Sequence, residues 1–97
     1  ATPTLLYPLG KITDKRPDYK WEPVKKATKY EYRVFKGTDT IPLFTKTALT
    51  TACVNSVCKA NPNFKLVLSG YTWQARAFVD GKWQAWSAKK AFRVVAP

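Results

Sequence analysis

Apolar and polar residues alternate with a period of two in several short runs of this chain. In the clearest, residues 71–78, Tyr71, Trp73, Ala75 and Ala77 alternate with Thr72, Gln74, Arg76 and Phe78. Side chains on a strand point to alternate faces, so this run predicts a half-buried strand. Asp80-Gly81 follows, two residues that tolerate positive φ, and predicts a hairpin turn. Phe92, Val94 and Val95 then mark a last strand. In 29–36, Tyr30, Tyr32 and Val34 fall on one face, and Glu31, Arg33 and Phe35 on the other. In 18–23, Tyr19 and Trp21 share a face until Pro23 ends the run. Phe64, Leu66 and Leu68 predict a further strand. The threonine-rich stretch 41–52, with Pro42 near its start, and the stretch 5–10, broken by Pro8, read as edge strands, where proline is tolerated.

No stretch keeps a helical period over three turns. About seven short strands separated by turn signals predict an all-β fold, a two-sheet antiparallel β-sandwich. Tyr-x-Trp occurs twice, at Tyr19/Trp21 and Tyr71/Trp73. On central strands of opposite sheets these rings would pack against each other across a gap of roughly 10 Å. Tyr7, Phe44, Phe64 and Phe92 are expected in the core.

Trp83 and Trp86 do not fit simple alternation. Three residues apart, they would face opposite ways on a regular strand, but the same way in a three-residue-per-turn extended segment or across a bulge. Trp86 also shares parity with Phe92 and Val94. An outward Trp86 and an inward Phe92 therefore require a change of phase within 87–90.

The 97 residues suffice for one domain, residues 1–97. They carry 17 basic and six acidic residues, net charge +11, with no basic run longer than two. Such a balance suits anionic partners, or lysines that solubilise exposed faces and blunt sheet edges. Cys53 and Cys58 have four residues between them, and the chain has no histidine. A zinc site lacks ligands, so a local disulfide and hence secretion is the expectation; two reduced thiols are the alternative. No apolar run approaches a membrane span of roughly 18 residues, and no signal peptide is recognisable. The proline-bounded ends predict a domain cut from a larger secreted multidomain protein. No histidine, glycine-rich phosphate loop or nucleophile–base pair suggests catalysis. The six scattered carboxylates do not predict a facing pair of the kind a glycosidase uses.

Trp21, the run Ala-Thr-Lys-Tyr-Glu-Tyr-Arg-Val (27–34), Leu-Ser-Gly-Tyr (68–71) and Trp-Gln-Ala-Trp-Ser (83–87) together resemble a fibronectin type III-like domain of the immunoglobulin-like sandwiches. The last motif is similar to the Trp-Ser-x-Trp-Ser box of cytokine receptors, with Gln84 in place of the first serine. That resemblance implies tryptophans stacked with arginines of neighbouring strands, here Arg76 and Arg33. The build and composition also resemble small carbohydrate-binding modules appended to bacterial glycoside hydrolases. This second resemblance implies a non-catalytic module, tethered to a catalytic domain, that holds β-glucan chains of cellulose or xyloglucan type on a planar aromatic face. The candidate ligand-binding residues are Glu31, Arg33, Phe35, Gln74, Arg76, Phe78, Trp83, Gln84 and Trp86. Flat rings would stack on sugar faces while Glu, Gln and Arg bond hydroxyls. For Trp83 and Trp86 a purely structural ladder with arginine is the alternative. The other readings are a spacer or protein-interaction domain without a glycan ligand, and a binder of anionic polysaccharide. The expected chain is a monomer with no cofactor and no metal, and without nucleic-acid or membrane partners.

Overall fold

Three of the alternating runs form the strands they predict, in a computed structural model that describes residues 2–97. The strands are β1 (Leu5–Tyr7), β2 (Gly10–Ile12), β3 (Tyr19–Trp21), β4 (Ala27–Lys36), β5 (Phe44–Leu49), β6 (Cys53–Val54), β7 (Val57–Ala60), β8 (Ser69–Val79), β9 (Lys82–Trp83) and β10 (Lys90–Val94). The smaller sheet has the order β1-β3-β7-β6, and the larger β2-β10-β8-β4-β5, with β9 also paired to β8. Neighbours are antiparallel except β2 and β10, which are parallel. The two sheets make the expected β-sandwich.

Ten strands replace the seven or so expected, because short pieces count separately. Pro8 and Leu9 divide the first apolar stretch, so that β1 pairs with β3 in one sheet and β2 with β10 in the other. Asn55 and Ser56, both at positive φ, close a small hairpin in which Cys53 stands opposite Cys58 in a disulfide.

Two strand predictions change. Residues 64–68 form no strand: Leu66 is buried but Leu68 is half exposed. The Tyr71 hydroxyl accepts from the Val67 N–H at 3.0 Å and donates to the Val67 carbonyl at 2.8 Å. A phenol thus takes the backbone groups a ladder would use, the corner arrangement of many β-sandwiches. The edge stretch 41–52 is extended only as β5. Ile41 and Pro42 precede it, and Thr50–Ala52 turn as a 3-10 helix.

The inward face of β8 (Tyr71, Trp73, Ala75, Ala77) and that of β4 (Tyr30, Tyr32, Val34) are buried. Trp21 of the smaller sheet and Trp73 of the larger are fully buried, with ring centroids 6.5 Å apart. Tyr19 fits between them and their neighbours, 5.3 Å from Trp73 and 5.4 Å from Tyr32. Phe92 is buried with this cluster, whereas Tyr7, Phe44 and Phe64 pack at its rim. Ala75 and Ala77 leave room for these rings. The opposite face of β4 and β8 turns away from the smaller sheet and carries Glu31, Arg33, Arg76 and Phe78.

Burial pushes the Tyr32 phenol up to about 12, and the Tyr19 phenol is also raised, by burial first and then by Tyr32 and Tyr71. The folded state therefore favours the neutral phenol, while the unfolded chain ionises near the ordinary value of about 10. The stabilisation is complete below that value and is lost as pH rises from about 10 towards 12. The denaturant midpoint is expected to fall steadily above about pH 10, with tyrosinate absorbance lagging free tyrosine. A flat midpoint across that window would contradict the burial of these two hydroxyls.

Candidate functional site

The site is built by a mismatch in residue count between two neighbouring segments. After the Asp80-Gly81 turn, Trp83 pairs with Phe78 in β9, and residues 84–89 then follow β8 without strand geometry. The Gln84 N–H donates to the Ala77 carbonyl and the Ser87 N–H to the Ala75 carbonyl, each at 2.8 Å. Three residues of this segment thus match two of β8. Trp83 and Trp86 come to the same, outer face. From Ser87, opposite Ala75, to Lys90, opposite Trp73, the same three-for-two slip occurs again. The second slip turns Phe92 inward and is the required change of phase. Ser87 fixes the position: it is buried, its hydroxyl accepts the Ala75 N–H at 3.1 Å, and its carbonyl accepts the Gln74 side chain at 3.0 Å.

On this face the side chains form a ladder. The Arg33 guanidinium lies 4.0 Å from the Trp86 ring centroid and 5.2 Å from that of Phe35. Arg76 lies 4.5 Å from Trp86 and 4.6 Å from Trp83. Lys29 stands 4.5 Å from Phe78 and 5.4 Å from Trp83, and Lys89 3.9 Å from Phe35. Arg33 is opposite Gln74 and Arg76 opposite Glu31 in the β4–β8 register. The two guanidiniums therefore occupy successive rungs, with the Trp86 indole between them.

Polar bonds hold the rungs. Arg33 Nε donates to Gln74 Oε1 at 2.8 Å, and Arg76 Nε donates to Glu31 Oε1 at 2.8 Å and completes an ion pair through Nη2. Burial, and then the neighbouring Arg76, lowers the Arg33 guanidinium below its ordinary value, with Glu31 opposing the shift. Arginine still remains charged.

The nine candidates divide. Glu31, Arg33, Arg76, Phe78, Trp83 and Trp86 meet on one face and are partly accessible. Phe35 is on it but only 2% exposed, covered by Arg33 and Lys89. Gln74 is 7% exposed and occupied by Arg33 and Ser87, which makes it a positioning residue. The Gln84 side-chain amide turns back to the Lys82 and Val79 carbonyls of the hairpin, at 3.3 and 3.5 Å. The face is not the open row of flat rings that sugar stacking needs. Arg33 and Arg76 lie over the Trp86 ring, Arg76 also over Trp83 and Lys29 over Phe78, as in the alternative ladder arrangement.

Lys29 and Lys89 belong to the ladder but were not among the candidates. Parity alone placed Lys29 with Glu31, whereas Lys89 lies in the irregular stretch, where no sequence period applies. Lys11 of β2 and Arg93 of β10, each next to a buried inward residue, point out from the same sheet. Six cations and one carboxylate, Glu31, thus occupy this face. Asp14, Asp18, Glu22, Asp39 and Asp80 lie elsewhere in the chain.

Among the described residues no group of three potential metal ligands comes together, and no helix is long and apolar enough to cross a membrane. No family model and no curated protein matches the chain.

Proposed function

We propose that this domain is a non-catalytic polysaccharide-binding module whose outer sheet face takes an acidic glycan, the third of the readings open at the sequence level. The observation that carries this is the intercalated ladder. Rings whose faces hold guanidiniums offer little to a neutral sugar, whereas the guanidiniums keep edge N–H donors that suit carboxylates. The six-to-one balance of charge on the face supports the same ligand class. A disulfide, which persists in oxidising compartments, favours extracellular glycans over nucleic acids. Tethered to a catalytic domain, such a module would raise the local concentration of its substrate.

Native affinity electrophoresis tests this. Mobility should be retarded by polygalacturonate, with the effect lost as salt screens the charges, and unchanged by hydroxyethylcellulose or xyloglucan. Salt-independent retardation by the neutral glucans would instead establish the β-glucan reading. Tighter retention by DNA than by polygalacturonate would overturn the glycan assignment, and no retardation at all would leave a spacer or protein-interaction domain.

A further inference from the structure

Beside the ladder lies an open trough of about 410 Å³, lined by Gly10 and Lys11 of β2, Gly70 and Tyr71 of β8, Ala91, Phe92 and Arg93 of β10, and Gly37. Lys11, Gly70, Ala91 and Arg93 belong to the outer face, whereas Tyr71 and Phe92 are buried. The small side chains create it. Gly10, Gly37, Gly70 and Ala91 put little above the backbone, and an added Cβ at Gly10 or Gly37 would meet nothing within 4 Å. Arg93, opposite Gly70 in the register, lays its guanidinium across that glycine. A Cβ built on Gly70 would stand 3.2 Å from Arg93 Nη1. Unlike Arg33 and Arg76, Arg93 lies over no aromatic ring, and unlike Arg76 it has no carboxylate partner among the described residues. It is an exposed, unpaired fork beside a concavity, with the Lys11 ammonium on the neighbouring strand.

We propose that this trough is a second subsite of the acidic-glycan face, in which Arg93, with Lys11, receives one sugar carboxylate. The inference rests on the polysaccharide-binding reading. Its geometry is that of the sheet. On the outer side of β8, Gly70 marks the Arg93 rung and Gln74 the Arg33 rung. Four residues of strand separate them by about 13 Å. A glycan lying along β8 would bring one carboxylate to Arg93 and another, a few sugar units on, to the edge of Arg33. A guanidinium fork binds a carboxylate bidentately, which an ammonium cannot do. Arg93 would therefore fix register as well as supply charge.

The test measures oligogalacturonide binding by calorimetry, with a dimer and with an oligomer of about eight units, long enough to cross that distance. Arg93→Ala is expected to weaken the long oligomer by about tenfold and the dimer hardly at all. Arg93→Lys should recover little of the loss. Lys59→Ala removes the same charge from the smaller sheet and should leave both ligands unaffected. Arg93 is exposed, so thermal melts of these variants should match the parent. Equal effects of Arg93→Ala and Lys59→Ala, or full rescue by Arg93→Lys, would overturn the subsite. If the long oligomer binds the parent and Arg33→Ala weakens it while Arg93→Ala does not, the subsite alone falls. If the parent binds neither polygalacturonate nor its oligomers, the reading it rests on falls with it.

Discussion

Replacing Trp73 by alanine is expected to lower the unfolding free energy by about 3–5 kcal/mol. Trp73 is fully buried at the centre of β8. Its ring lies 5.3 Å from Tyr19 and 6.5 Å from Trp21, so it joins the two sheets. Its indole N–H donates to the Pro8 carbonyl at 3.1 Å, tying the connection between β1 and β2 to the core. Alanine would leave a void among rigid rings that cannot collapse into it, and would leave a buried carbonyl without its donor. A domain of this size has about 5–15 kcal/mol to lose. The melting temperature should drop by upwards of about 12 °C, read by circular dichroism. Trp73→Phe should lose less, because it keeps most of the packing. A loss below about 1 kcal/mol for Trp73→Ala would mean that the two sheets are not joined through this ring.

Trp86→Ala is expected to give the second-largest loss, about 2–3 kcal/mol, from two cation–π contacts at half-buried positions together with the packing of the indole. Removing it leaves Arg33 and Arg76 without the ring between them, while the Gln84 and Ser87 bonds to β8 still hold the segment. The ladder makes a specific claim about coupling. In a double-mutant cycle, Trp86→Ala and Arg33→Ala should couple by more than about 0.5 kcal/mol, whereas Trp86→Ala and Lys59→Ala should be additive. Urea denaturation of the four variants of each cycle measures this. Strict additivity of the first pair would mean that Arg33 and Trp86 are neighbours without mutual stabilisation. The same substitution opens the outer face and should weaken polygalacturonate binding by displacing both guanidiniums. Stability and binding would therefore fall together at Trp86, but separately at Arg93.

The sandwich was legible in the pattern of residues. Period-two alternation in 29–36 and 71–78, a paired Tyr-x-Trp and an Asp-Gly turn are local signals, and each strand can satisfy them alone. The disulfide was legible for the same reason, since a four-residue turn lets its two cysteines meet. The alternating run 64–68 misled because periodicity reports which side chains could face inward, not whether a neighbouring strand is there to pair with. Tyr71 takes those backbone groups instead. The character of the candidate face came from long-range packing. Candidate rings and cations could be placed on one side by parity, but whether a ring faces solvent or a guanidinium depends on register between β4, β8 and the irregular 84–89 segment. That register is set by two slips of phase, the Ser87 hydroxyl and the Gln74 amide. The trough at Gly70 is likewise invisible in sequence, because residues of β2, β8 and β10 are brought side by side only by strand pairing.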